Sequence, residues 1–322
     1  MSNQKRTILI TGGCGFIGSN FIHMMLGIPL SNIRIVNVDS LTYAGNLKNV
    51  EEFSDNQDYL FYHADICNTE LIKEICINHN VEGIINFAAE SHVDRSIIDG
   101  KPFIDTNIVG TVSLLTVAKD LGLKKFVQVS TDEVYGSLEL NSTEQFNEQS
   151  QILPNSPYSA AKASADCFVR SYYHTHGVPA VITRCSNNYG PRQHTEKLIP
   201  LMITNILNGK ELPVYGDGLN VRDWIHVDDH CRAVWFAYEW GKNGEVYNIG
   251  SDNEWKNIDI VKLLLSTMGK SKDLINYIED RLGHDRRYAI DSTKAQEELG
   301  WKPLINFEDG LKSTIDWYKK SV

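Results

Sequence analysis

The sequence predicts an α/β protein: a doubly wound parallel sheet with a smaller α/β lobe laid over the carboxyl edge of that sheet. Three observations lead there. Short β-rich runs alternate with longer amphipathic segments through the first half of the chain, the pattern of strands joined by crossover helices. The first run ends in a glycine-rich turn that opens a helical segment. The regular alternation fades after about residue 186.

In order, the runs TILIT, IRIVNVD, YLFYHAD, GIINFAA, KFVQVST and AVITRCS are apolar on both alternating faces, as strands buried between two helical layers must be. Helix candidates lie between them, including FIGSNFIHMML, TELIKEICINHN and IDTNIVGTVSLLTVAKDLG. These runs place one domain over residues 1–186, completed by about 222–250. The remaining segments, 187–221 and 251–322, carry a Pro/Gly-rich patch, LPVYGDGLNVRDW, and short helices such as IDIVKLLLSTMG and STKAQEELG. They form the smaller lobe. No internal repeat or low-complexity tract interrupts the chain.

The 322 residues suffice for one large or two moderate domains. A hydrophobic content of 42% and a charged content of 22% belong to an ordinary globular protein. The net charge of −10 argues against broad nucleic-acid binding, while leaving room for an anionic small molecule held by local cations. No window reaches the roughly 20 apolar residues of a membrane span. The opening MSNQKRTILITGG lacks a signal-peptide pattern. Six scattered cysteines without a CxxC pair suit free thiols in a reducing compartment, so the expected location is the cytoplasm.

Gly12, Gly15 and Gly18 are spaced GxxGxxG directly after a strand and at the start of a helix. Glycine there lets backbone approach a pyrophosphate whose charge meets the helix N-terminus. Asp39 ends the second strand, 21 residues beyond Gly18, where a carboxylate can hold a ribose diol and repel a 2′-phosphate. Asp65 and Ile66 end the third strand, where an adenine can lie. A nucleoside-triphosphate loop would need Lys-Ser/Thr after the last glycine, and Ser19-Asn20 stands there. The reading is a dinucleotide site for NAD rather than NADP, which makes the sheet a Rossmann sheet.

Tyr158 and Lys162 in SPYSAAKASAD fall at i, i+4 on one helical face. A free tyrosine is a poor base near neutral pH, since ionising it costs about 4 kcal/mol. A neighbouring ammonium and an oxidised nicotinamide both stabilise the phenolate. Without those neighbours the pair would be ordinary surface. Asp132 and Glu133 adjoin at the end of KFVQVST. Their bland reading is a solvated turn; their chemical reading is an acid and a base working on one substrate. Adjacent side chains of a regular strand point to opposite faces, so both reach one pocket only on irregular backbone just past the strand.

Gly12-x-x-Gly15-x-x-Gly18 with Tyr158-x-x-x-Lys162 resembles the extended short-chain dehydrogenase/reductase family, whose members act on nucleotide sugars. The strings DSLTYAGN, AAESHVDRSI, TNIVGT, STDEVYG, NNYGP, EKLIPL, RDWIHVDDH and GHDRRYAID extend the likeness over essentially the whole chain, and Thr131-Asp132-Glu133 points to the family's 4,6-dehydratase branch. The resemblance implies a lyase (hydro-lyase) that binds NAD and dTDP-glucose, serves deoxysugar synthesis such as that of dTDP-rhamnose, and forms a homodimer through a four-helix bundle. It implies catalytic roles for Thr131, Asp132, Glu133, Tyr158 and Lys162. It adds Gly13, Phe16, Ile17, Ser40, Thr42, Phe87, Ala88, Ala89, Thr106 and Asn188 to the cofactor contacts. For the sugar and its nucleotide it implies Ser91, Thr131, Asp132, Glu133, Asn187, Lys197, Leu198, Pro213, Tyr215, Arg222, Asn257, Arg281 and His284. Two departures touch the nucleotide side: Leu282 where relatives have proline, and RQHTEK where they carry an aromatic and a proline before the same Glu-Lys.

Other readings are weaker. His226 and His230, or His174 and His176, lack a third metal ligand nearby, and no step of the implied reaction needs a metal. RAVWFAYEW places its aromatics at helical spacing, as core packing does. A non-catalytic NAD-binding regulatory protein could dispense with Tyr158, Lys162 and the acids. A GDP-mannose 4,6-dehydratase or another nucleotide-sugar short-chain enzyme is the main alternative among enzymes.

Overall fold

The structure is a computed structural model that describes residues 5–27 and 32–321, so residues 1–4 of the N-terminal stretch read above lie outside it. Six strands follow in chain order: β1 (Arg6–Thr11), β2 (Ile33–Asp39), β3 (Tyr59–His63), β4 (Val81–Asn86), β5 (Lys125–Thr131) and β6 (Ala180–Cys185). Next come β7 (Asn187–Tyr189), β8 (Leu212–Tyr215) and β9 (Val221–His226), then β10 (Val246–Ile249), β11 (Glu254–Lys256) and β12 (Ile275–Ile278). The main sheet has seven strands in the order β10-β6-β5-β4-β1-β2-β3, and every pairing in it is parallel. The chain runs outward from β1 to β3, returns to β4 and then proceeds the other way. That reversal leaves a crevice beyond the carboxyl ends of β1 and β4, where open α/β sheets bind ligands.

Alternation along each strand builds two cores. Leu9, Val36, Ile84 and Phe126 pack on one face, while Ile8, Ile10, Ile35, Ile85 and Val127 pack on the other, as the period-2 pleat requires. Each such side chain contributes roughly 1.5–3 kcal/mol relative to exposure. A third core, with Met202, Ile203, Trp224, Leu264, Phe307 and Leu311, belongs to the C-terminal part of the chain. It is framed by the three-stranded β11-β9-β7 and two-stranded β12-β8 sheets. The Pro/Gly-rich patch becomes β8 and β9, joined through Gly216 and Gly218 at φ 55° and 69°, backbone that glycine adopts without strain. β10 lies beside β6 in the main sheet.

Two expectations need correction. YLFYHAD, read as a strand buried on both faces, is the edge strand β3: Tyr59 is buried, but Leu60 to Tyr62 are half-buried and His63 is exposed. IDTNIVGTVSLLTVAKDLG, read as one helix, divides into a π-helix at Ile104–Gly110 and an α-helix at Thr111–Leu121. The wider turn coincides with a side-chain clasp. Asn107 accepts from Glu90 N at 2.9 Å and donates to Glu90 O at 3.0 Å, while Gly110 sits against Ile66. Hydrophobic periodicity does not register a side chain bonding to a distant backbone.

Candidate active site

The crevice is a single cavity that starts at the glycine loop. Gly12 has φ 69°, and a Cβ there would lie 2.7 Å from the Ala88 backbone. A Cβ on Gly18 would lie 2.3 Å from Gly12 O, whereas one on Gly15 would meet only Gly12 O, at 3.2 Å. Gly12 and Gly18 thus close the turn, and Gly15 leaves an open approach. Helix Phe16–Leu26 begins at Gly15 without a side-chain cap, so its first N–H groups face the cavity as anion donors. A Cβ on Gly13 would strike Asn37 at 2.2 Å and Ile22 at 2.7 Å, so its small size serves packing against β2, and Gly13 is not among the residues that line the cavity.

All the other expected cofactor residues line it: Gly12, Gly15, Phe16, Ile17, Gly18, Asp39, Ser40, Thr42, Asp65, Ile66, Phe87, Ala88, Ala89, Thr106, Tyr158, Lys162 and Asn188. Asp39 is fixed by two backbone donors, Cys14 N at 2.8 Å and Leu41 N at 2.7 Å. Burial raises its pKa and these two hydrogen bonds oppose the rise. The uncapped helix, the open glycine and the anchored acid fit a dinucleotide with a free ribose diol; a 2′-phosphate would meet a carboxylate.

The far end of the cavity holds the acids. β5 ends at Thr131, whose hydroxyl accepts from Glu133 N at 3.3 Å and so caps a 3-10 turn at Asp132–Tyr135. The turn breaks the alternation of the strand, and Asp132 and Glu133 both line the cavity. Asp132 is 2% exposed, and its Oδ2 has no hydrogen-bond partner among the described residues. Burial, then Glu133, then Asp223 push its carboxyl well above the ordinary range. Burial also raises Glu133, against the pull of Lys197 and Arg222.

Tyr158 and Lys162 project from helix Pro157–His176, whose start is fixed by a Ser156–Ser159 capping box and Pro157. Lys162 Nζ donates to Val129 O at 2.6 Å, which places the ammonium under the end of β5. Burial lowers its pKa. Burial raises Tyr158 well above the usual phenol value, with Glu133 adding to it and hydrogen bonding to Thr131 opposing it.

Of the residues implied for the substrate, Ser91, Thr131, Asp132, Glu133, Asn187 and Lys197 line the same cavity. Lys197 Nζ donates to Ser91 O at 2.8 Å. Leu198, Pro213, Tyr215, Arg222, Asn257, Arg281 and His284 are not among its lining residues. Several of these make a neighbouring cluster: the Arg281 guanidinium lies 5.3 Å from the Tyr215 ring, and the His284 ring 6.3 Å from it. Both arginines already have partners. Arg281 Nε is 2.6 Å from Asp94, and Arg222 donates to Asp285 O at 2.8 Å over the Tyr288 ring. Their charges still reach Glu133. Sequence reasoning missed Glu90, Ser186, Gln193, His194 and Glu196, which also line the cavity. The strings AAESHVDRSI, EKLIPL and RQHTEK held Glu90, Gln193, His194 and Glu196 without assigning them a role.

Comparison with known proteins gives a consistent result. The family model described as GDP-mannose 4,6 dehydratase matches residues 9–314. The low-salt glycan biosynthesis protein Agl12 of Haloferax volcanii is 49% identical over 97% of this chain and 98% of its own. The crystal structure of dTDP-glucose 4,6-dehydratase from Bacillus anthracis in complex with NAD is 51% identical, covers 98% of this chain and 97% of its own, and superposes with TM-score 0.91. A double mutant of the Streptomyces venezuelae dTDP-glucose 4,6-dehydratase, with NAD and a dTDP-sugar bound, is 44% identical over 97% of each chain, with TM-score 0.92. With the glycine loop, the Tyr158–Lys162 helix and the acid turn on one crevice, the chain belongs to the GDP-mannose 4,6 dehydratase family and, within it, to the dTDP-glucose 4,6-dehydratases.

Proposed function

We propose that this protein converts dTDP-glucose to dTDP-4-keto-6-deoxyglucose with the loss of one water. One observation carries the reading: two buried carboxyl groups past β5 share a cavity with Tyr158, Lys162 and a dinucleotide-binding glycine loop. Bound NAD supplies what these side chains lack, an acceptor that takes hydride from C4 and returns it to C6. Tyr158, with Thr131 beside it, takes the proton of the 4-hydroxyl. Its own burial opposes ionisation, so the Lys162 ammonium and the cationic cofactor supply the offset. A ketone at C4 acidifies the C5 proton, which Glu133 removes. Asp132, kept in its acid form, protonates the departing 6-hydroxyl so that it leaves as water, and Glu133 then reprotonates C5. Lys197, Arg222 and Arg281 favour the ionised form of Glu133, whereas Asp132 has the greater bias toward its proton. Paired acids in different states suit elimination.

In this reading the main sheet holds NAD, and segments 187–221 and 251–322 hold the nucleotide sugar, with Tyr215, Arg222, Asn257, Arg281 and His284 around the nucleotide. Among the described residues no helix is long and apolar enough to cross a membrane, and all six cysteines are free thiols; both support a cytoplasmic protein. Ile98, Ile104, Val109 and Phe168 are exposed on or beside the helices that the resemblance assigns to a dimer, which supports a homodimer. Light scattering at micromolar concentration should give twice the chain mass. The function is tested by incubating the protein with dTDP-glucose, UDP-glucose and GDP-mannose without added oxidant and analysing the products. Conversion of dTDP-glucose alone is expected; conversion of GDP-mannose instead would move the substrate, and release of stoichiometric NADH would remove the internal redox cycle.

A further inference from the structure

The segment 190–197, which contains the RQHTEK departure, contributes Gln193, His194, Glu196 and Lys197 to the lining of the cavity. It is tied down at almost every residue. Gln193 Nε2 donates to Asn188 O at 2.9 Å, and the Tyr318 hydroxyl donates to Gln193 O. The His194 ring meets Tyr43 edge-on at 5.8 Å, and Lys197 reaches Ser91. Arg192 does not line the cavity. It holds a left-handed backbone at φ 67°, a conformation that costs a non-glycine residue energy and persists only when its surroundings fix it.

What fixes it is the glycine-loop helix. Arg192 Nη1 donates to Asn20 Oδ1 at 2.8 Å, and Asn20 Nδ2 donates to both Pro191 O and Phe16 O at 2.9 Å. Arg192 Nη2 lies 3.2 Å from His23 Nδ1, and His23 Nε2 lies 2.7 Å from Asn49 O. A carbonyl only accepts, so Nε2 carries a ring proton. Nδ1 faces both Arg192 and, at 3.0 Å, the Glu52 carboxylate, whose charge offsets the guanidinium. Asn49 Nδ2 in turn donates to Cys14 O within the glycine loop, at 2.9 Å. One arginine therefore joins the 190–197 segment to the glycine loop and helix that line the same cavity.

We propose that residues 190–197 are a cofactor-retaining strap and that Arg192 is the positioning residue that latches it to the glycine-loop helix. The inference rests on the reading above that NAD occupies this cavity. Hydride that is borrowed and returned requires the same NAD to stay in place through turnover, and the latch slows its escape. Arg192→Gly keeps the left-handed backbone and removes the guanidinium. Arg192→Lys keeps charge and backbone strain but loses the two-pronged fork.

Each variant, purified with NAD, is diluted, and bound NAD is followed over time alongside activity with and without added NAD. Both should release NAD about tenfold faster than the unsubstituted protein, the effect of losing one charge-assisted hydrogen bond. Both should recover its kcat when NAD is saturating. A merely structural role would lower stability without creating a requirement for added NAD. Retention in both variants equal to that of the unsubstituted protein, or lost activity that NAD does not restore, overturns the latch. If the unsubstituted protein binds no NAD, the cofactor reading fails with it, an outcome distinct from a latch that fails in a protein holding NAD.

Discussion

Two strands of the same sheet end in buried acids, and the two ends are built differently. Asp39, at the end of β2, accepts backbone hydrogen bonds on both carboxylate oxygens. Asp132, just past β5, has one weak contact of 3.3 Å from Thr131 to Oδ1 and no partner on Oδ2. Burial raises both, but only Asp39 is offered fixed donors that favour its charge. A carboxylate saturated by backbone is a rigid acceptor suited to holding a ligand. One left unsatisfied beside a second acid can keep its proton and give it away. Hydrogen-bond supply, more than burial, separates the acid proposed to bind from the one proposed to react.

The largest effect should come from the β5 end. Glu133→Gln and Asp132→Asn should each lower kcat about 10²–10⁴-fold, with little change in cofactor binding, measured as steady-state turnover and NAD content. Tyr158→Phe should match them in kcat but block oxidation itself. If either acid variant instead lost NAD, the division of labour between the strand ends would be broken.

A smaller effect is expected at β2. Asp39→Asn turns one acceptor into an amide facing a backbone N–H and removes the charge. NAD affinity should fall about 10–100-fold and the preference over NADP should narrow, with kcat at saturating cofactor nearly kept. Competitive titration of NAD and NADP reads this directly. A collapse of kcat would assign Asp39 to the chemistry.

The smallest effect is on stability. Folding raises the Asp132 pKa through burial, Glu133 and Asp223, so the folded state favours its protonated form. The associated stability is present at low pH and is lost as pH rises from the unfolded carboxyl value through the raised folded one. Asn cannot ionise. Asp132→Asn should therefore raise Tm by about 2 °C or more at pH 8 and leave it unchanged near pH 4, whereas Asp39→Asn, which sets an amide N–H against a backbone donor, should lower it at both. Thermal unfolding across that pH range makes the comparison.

The same contrast explains what the sequence disclosed. Gly12, Gly15, Gly18, Asp39, Tyr158 and Lys162, which all line the cavity, were legible because their spacings are local, within one β-α-β unit or one helical turn. The irregular turn at Asp132–Tyr135 followed from the alternation rule. Features set by long-range partners were hidden. Gly13 packs on Asn37 from the next strand, the π-turn coincides with Asn107 bonding to Glu90, and the Arg281–Asp94 pair spans most of the chain. The strap could be seen only as an unexplained departure, because Asn20 and His23, which hold Arg192, lie in the first helix.

The claim that the acid turn past β5 carries out the elimination is tested most directly by rapid mixing with dTDP-glucose in deuterated water, comparing the unsubstituted protein with Glu133→Gln. Reduced-nicotinamide absorbance and the mass of the product are followed together. The unsubstituted protein should give product with deuterium at C5 and no lasting reduced cofactor, whereas Glu133→Gln should accumulate reduced cofactor and stall before water is lost. Product without deuterium at C5, or normal turnover by Glu133→Gln, would contradict it and return Asp132 and Glu133 to the role of an ordinary turn.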